Sequence, residues 1–140
     1  MQDRIIPATF DRVFKALMQS DEARGYLVEI IEGITGLPKN IIKNKIVFEN
    51  SELPALNIKE KSKITDLVIR VGLNVINLEM NKYYYKGLLE KNDAYLSKLR
   101  DLRIGEKYIG DTKYIQINFD NFDKYNRTIM KFVIMDEKTR

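Results

Sequence analysis

The stretch Ile64-Thr65-Asp66-Leu67-Val68-Ile69-Arg70-Val71-Gly72-Leu73-Asn74-Val75-Ile76-Asn77-Leu78-Glu79-Met80-Asn81 decides the fold. It reads as two β-strands joined by a turn at Gly72. Strand side chains alternate between faces, so Ile76, Leu78 and Met80 share one face of the second strand and Asn77, Glu79 and Asn81 the other. In the first strand Thr65, Leu67, Ile69 and Val71 share a face, with Asp66, Val68 and Arg70 opposite. Both acids sit mid-strand, where Asp and Glu are disfavoured.

A two-residue loop at Gly72-Leu73, with glycine at the first central position as a type II′ turn requires, pairs Val71 with Asn74. That register sets Asp66 against Glu79, with Cβ atoms roughly 4.5–5.5 Å apart. A slip of two residues would set Asp66 against Asn81 and keep all three on one face. Two opposed carboxylates repel unless a cation lies between them. The pattern therefore points to a hard divalent metal, Mg²⁺ or Mn²⁺, held by carboxylates and water.

These residues resemble the PD-(D/E)XK nucleases, and within them the recombination-promoting nuclease and putative transposase branch. Asp66, a turn and then Asn77-Leu78-Glu79-Met80-Asn81 look like that branch's Asp strand followed by its Asn-Ile-Glu-Met-Gln strand. Upstream, Asp11-Arg12-Val13-Phe14-Lys15-Ala16-Leu17 is similar to its Asp-x-x-Phe-Lys-x-Leu opening. Downstream, Tyr95-Leu96-Ser97-Lys98-Leu99 and Gly105-Glu106-Lys107-Tyr108 resemble its Tyr-x-Ser-Lys-Leu helix and Gly-x-x-Tyr turn. Two positions depart from the pattern. Asn81 stands where the superfamily has Lys and this branch often Gln, so it supplies no charged amine. Lys91 is the nearest basic residue where the branch has a helical Arg before Tyr95, and it lacks the bidentate fork that grips phosphate.

The resemblance implies an α/β fold with a restriction-endonuclease-like core, a mixed β-sheet flanked by helices. The implied activity is a Mg²⁺-dependent DNA endonuclease that hydrolyses phosphodiester bonds, linked to recombination or a mobile element. Asp66 and Glu79 would ligate the metal and Asn81 would orient water or a phosphate oxygen. Asp11 would approach the metal from the first helix, although a first-turn Asp also simply favours the helix dipole. Lys82, Lys86 and Lys91 would hold DNA phosphates without reading sequence, and Tyr95 would support the site or pack in the core. The alternative from another class is a catalytically decayed module that keeps the fold and binds nucleic acid or a protein partner. A third is a purely structural or regulatory protein.

Composition narrows the chemistry. With 140 residues the length suits a single domain over 1–140, able to bury about two-thirds of its unfolded surface. There is no Cys and no His, which removes disulfides, thiolate or imidazole zinc sites and histidine general bases. Catalysis must run on carboxylates, Lys, Tyr or metal. The net charge of +4 suits a polyanionic partner but does not demand one. No apolar run approaches the roughly 18 residues of a membrane span, and no secretory signal is visible, so no membrane partner is expected and the cytoplasm is the default.

Outward from the hairpin, residues 9–18 read as a helix after Thr9 as cap, with Phe10, Val13, Phe14 and Leu17 on one stripe. A second helix starts at Asp21 behind Ser20, carries Leu27, Ile30, Ile31 and Ile34 on one face, and ends at Gly33, Gly36 and Pro38. Residues 37–63 give one short strand at Ile46–Phe48; Lys59, Lys61 and Lys63 read as a solvated edge or a phosphate contact. Lys82 to Arg100 reads as one long helix whose face is Tyr85, Leu88, Leu89, Asn92, Tyr95, Leu96 and Leu99. Core packing is the favoured role for Tyr85, and Tyr83-Tyr84-Tyr85 is either a half-buried helix start or a platform for unpaired bases. Capping that helix is a rival account of Asn81 that needs no chemistry, because Asn is a preferred N-cap. Residues 113–119 alternate as a strand, and Thr128–Met135 reads as a strand buried on both faces. The chain stops soon afterwards, where the resembled branch continues. It is expected to be a short form or a fragment lacking a C-terminal tail, with a homodimer contact among what such a tail can carry.

Overall fold

The computed structural model of the chain describes residues 11–49, 52–53, 63–64, 67–100 and 110–129. Its elements run α1 (Asp11–Gln19), α2 (Asp21–Thr35), α3 (Lys39–Lys45), β1 (Ile46–Glu49), β2 (Glu52–Leu53), β3 (Lys63–Ile64), β4 (Leu67–Val71), β5 (Asn74–Asn81), α4 (Leu88–Arg100) and β6 (Lys113–Asp120). The fold is mixed α/β, with a four-stranded sheet in the order β1-β4-β5-β6 and a separate β2-β3 ladder.

The sheet grows from the tight turn. Gly72 adopts φ 59° while Leu73 stays out of the positive-φ region, the pattern of a type II′ hairpin. Pairing follows as the turn dictates, from Val71↔Asn74 to Leu67↔Leu78. β1 adds antiparallel to β4, with Ile46 opposite Val71. β6 returns through α4 to lie parallel to β5, with Asn77 opposite Gln116, Glu79 opposite Asn118 and Asn81 opposite Asp120. The sheet is thus mixed, and β5 is a central strand with neighbours on both sides.

Central position explains why β5 is buried on both faces. On one face Leu67, Ile69, Val71, Ile76, Leu78 and Ile117 form a core with Phe14 of α1, Leu27, Val28 and Ile31 of α2 and Ile42 of α3. The Phe14 and Phe119 rings meet at 5.5 Å between centroids. The other face carries Asn77, Glu79 and Asn81, also buried, beneath α4. Helices therefore cover both sides of the sheet.

Ser20 caps α2 as its sequence predicts, its hydroxyl oxygen accepting from the Ala23 N–H at 3.2 Å. Gly36 ends the helix in the left-handed region at φ 72°, a conformation that glycine adopts without the Cβ penalty. The buried stripe of α2 is Ala23, Leu27, Val28 and Ile31; Ile34 is exposed instead.

The expected helix from Lys82 is corrected. α4 starts at Leu88, and Lys82–Gly87 form an irregular segment with Gly87 at φ 100°. Three consecutive tyrosines are poor helix formers, and the chain turns at Gly87 before the helix begins. Tyr85 and Leu89 are exposed, so neither joins the core. The helix α3 and the β2-β3 ladder were not visible in the sequence. Thr128 and Ile129 are irregular; the rest of the expected last strand, together with Thr9, Lys59 and Lys61, lies outside the described residues. No helix among the described residues is long and apolar enough to cross a membrane.

Candidate active site

Parallel pairing of β5 and β6 places two polar series side by side. Asn77, Glu79 and Asn81 on β5 stand next to Gln116, Asn118 and Asp120 on β6, all on the face that α4 covers. Six polar side chains on adjacent positions of two strands is not what apolar packing under a helix calls for.

Glu79 is the centre. It is 3% exposed, as deeply buried as its apolar neighbours. Asn77 Nδ2 donates to its Oε1 at 3.3 Å, and the Lys91 ammonium, one turn into α4, lies 3.4 Å from its Oε2. Burial by itself lowers the Lys91 pKa; the Glu79 carboxylate, then Tyr95 and Tyr85, more than reverse this, so it lies above the ordinary lysine value. Lys91 is therefore a cation at neutral pH. Its Nζ also sits 5.1 Å from the centre of the Tyr95 ring, within cation–π range. Both contacts to Glu79 are at the long end of the hydrogen-bond range. Desolvating two ions costs several kcal/mol each, so such a pair roughly breaks even. Stability alone does not account for it.

Asn81 closes the β5 end of the site. Its Nδ2 donates to Asp120 Oδ1 at 2.8 Å and to Asn118 Oδ1 at 3.4 Å. The expected capping role is thus corrected, because the helix begins well after Asn81 and its amide is turned across to β6. Gln116 Nε2 donates to Asn92 Oδ1 at 3.0 Å and Asn118 Oδ1 at 3.1 Å. Two buried amide oxygens, Asn77 Oδ1 and Gln116 Oε1, have no hydrogen-bond partner. Buried amide oxygens normally find donors, so these two stand out from the otherwise bonded side chains of this face.

The sequence-derived residues divide as follows. Glu79, Asn81, Lys91 and Tyr95 come together on one face. Lys82 lies over the Tyr83 ring, 5.3 Å from its centre, and Lys86 is exposed in the turn before α4. Asp11 opens α1, but its side chain, like the whole of Asp66, lies outside the described residues. Gln116, Asn118, Asp120 and Asn92 were missed. The polar break at Asn92 in an otherwise apolar helix face was the one local signal. The others needed the β5-β6 pairing, which no local pattern encodes.

The donor set is oxygen-only: a buried carboxylate, an orphaned amide oxygen beside it and further amide oxygens. That class suits a hard cation such as Mg²⁺ or Mn²⁺. Among the described residues no three acids converge, and the carboxylates that the two strands place on this face are Glu79 and Asp120. A recess of about 360 Å³ between α2 and α3 shares no residue with this face, and its location argues against a role in the same chemistry. Comparison with protein-family models, with curated proteins and with solved structures finds no match to the chain.

Proposed function

We propose that the chain is a metal-dependent DNA endonuclease of the PD-(D/E)XK type, with a restriction-endonuclease-like core. The observation that carries the reading is Glu79: a carboxylate buried mid-strand, beside an orphaned amide oxygen, with an ammonium at 3.4 Å. Perturbed, buried charge of this kind concentrates at functional sites. An antiparallel hairpin, a crossover helix and a parallel strand, with helices on both faces, support the same core.

In this reading Asp66 and Glu79 hold Mg²⁺, which when bound supplies a water of lowered pKa and neutralises charge on the scissile phosphate. Lys91 brings to Glu79 the ammonium that Asn81 lacks. Its place against the acid makes it part of the site and not a remote phosphate contact. Asn81, fixed by Asp120, is a neutral orienting group. Lys82 and Lys86 lie where the backbone of a bound strand leaves the site.

A second reading is favoured by a specific feature: the amides of Asn81 and Gln116 donate to Asn118, and that of Gln116 also to Asn92, so the polar side chains bond mainly to one another, as in a static network. This is the decayed module that binds nucleic acid or a partner without turnover. Plasmid cleavage with Mg²⁺ or Mn²⁺ separates the two. The nuclease reading expects nicking that Asp66→Ala and Glu79→Ala each reduce by about a hundredfold or more. Intact plasmid with wild type and variants alike, while wild type still binds DNA, establishes the decayed module.

A further inference from the structure

Two irregular segments leave the same end of the sheet, where parallel β5 and β6 both finish. One is Lys82-Tyr83-Tyr84-Tyr85-Lys86-Gly87 and the other runs from Asn121 to Ile129. In open α/β sheets, ligands gather beyond the carboxyl ends of parallel strands. Here the two segments are tied together. The backbone N–H of Asn121 donates to the Asn81 carbonyl at 2.9 Å, the Tyr84 ring meets Phe122 edge-on at 5.8 Å, and the Lys124 ammonium lies 4.7 Å from the centre of the Tyr84 ring.

The surface they make is aromatic, basic and open. Tyr83 is 69% exposed and Tyr84, Tyr85 and Tyr125 are all exposed. Lys82, Lys86, Lys124 and Arg127 outnumber the acids beside them, Asp123 of the second segment and Asp120 at the end of β6. A recess of about 320 Å³ opens beside Phe122 and Arg127. Core packing does not explain why Tyr83, Tyr84, Tyr85 and Tyr125 all keep an exposed part beside Lys82, Lys86, Lys124 and Arg127. Rings that accept base faces, interleaved with cations that take phosphates, are what an unpaired strand requires. A duplex offers only its backbone and groove edges, and its bases are already stacked.

We propose that this surface binds single-stranded DNA, with unpaired bases stacking on Tyr83 and Tyr85 and phosphates held by Lys82, Lys86, Lys124 and Arg127. The proposal rests on the nuclease reading only in why a strand is held there: Lys82 is three residues beyond Glu79, about 10 Å along the strand, so a stacked strand runs toward the acid site. It deepens that reading by naming unpaired DNA as the substrate class.

The test is fluorescence anisotropy of the full chain in EDTA, which prevents turnover, with labelled oligo(dT), oligo(U) and a mixed-sequence duplex of equal length. Oligo(dT) is expected to bind at least about tenfold more tightly than the duplex, with Tyr83→Ala and Tyr85→Ala each weakening it by about fivefold or more. Tyr83→Phe and Tyr85→Phe should restore it, because stacking needs the ring and not the hydroxyl. Equal affinity for duplex and single strand, or alanine variants that bind as wild type does, overturns the proposal. Tighter binding of oligo(U) overturns it in favour of RNA. So does sedimentation showing that the rings bury against a second copy, with the alanine variants monomeric and DNA binding unchanged. Strand binding through the rings without any metal-dependent cleavage sinks the nuclease reading and leaves this surface standing. Glu79-dependent cleavage with ring-independent binding does the reverse.

Discussion

Replacing Lys91 by Met leaves the Glu79 carboxylate, 3% exposed, without its ammonium. Removing one ion of a buried pair is costly, and Lys91→Met should lose about 3 kcal/mol in urea unfolding at pH 7. The pH dependence has a definite sign. Folding raises the Lys91 pKa above 10.5, so the folded chain holds that proton more tightly than the unfolded one. The stability this adds is fully present below the unfolded lysine value and disappears as pH rises through the folded value. The gap between wild type and Lys91→Met should therefore be flat from pH 7 to about 10 and shrink above it; a gap that closes at lower pH would remove the ion pair from the account. At Asn81, a lysine would face Asp120 and Asn118, which can accept from it. On the nuclease reading Asn81→Lys keeps the fold, as read by thermal unfolding, and raises the rate of metal-dependent nicking. A folded variant that cuts no faster than wild type argues that Lys91 already supplies the charge.

At the level of elements, two glycines set what the chain can form. Gly72 at φ 59° fixes the hairpin register, and Gly72→Ala should cost about 1 kcal/mol through left-handed strain, measured as a lowered urea midpoint. Gly87 at φ 100° sets where α4 begins. The hairpin was legible because its signals are local: alternation on both sides of a glycine turn gives both strands and their register. Ser20 and Gly36 were legible for the same reason. The start of α4 was misread because helical spacing of Tyr85, Leu88 and Leu89 persists through a segment that the tyrosines and Gly87 keep out of the helix. The site was half legible. Glu79 and Asn81 stand out as polar residues in a strand, whereas Gln116, Asn118 and Asp120 acquire their meaning only from a neighbour more than thirty residues away. Asn77 shows the same limit, since a polar residue on a strand's second face signals solvent unless a helix is known to cover it.

Taken whole, the molecule concentrates its stability at the sheet centre. Ile76 is fully buried on β5 between β4 and β6, and Ile76→Ala should cost about 3–5 kcal/mol, a large share of an ordinary total of about 5–15 kcal/mol. A far smaller loss in chemical denaturation would place the core elsewhere. The sheet's connectivity also has a consequence in time. β4 and β5 are joined by two residues and can pair as soon as they exist, while β6 must return across α4 before it can pair with β5. Closing the longer loop is slower and more costly in entropy. Glu79 therefore acquires Asn118 as a neighbour only after synthesis has passed Asp120, and a chain still growing on the ribosome carries the acid without the strand that completes its surroundings. Any activity that depends on that strand must wait until β6 has been made and has paired with β5.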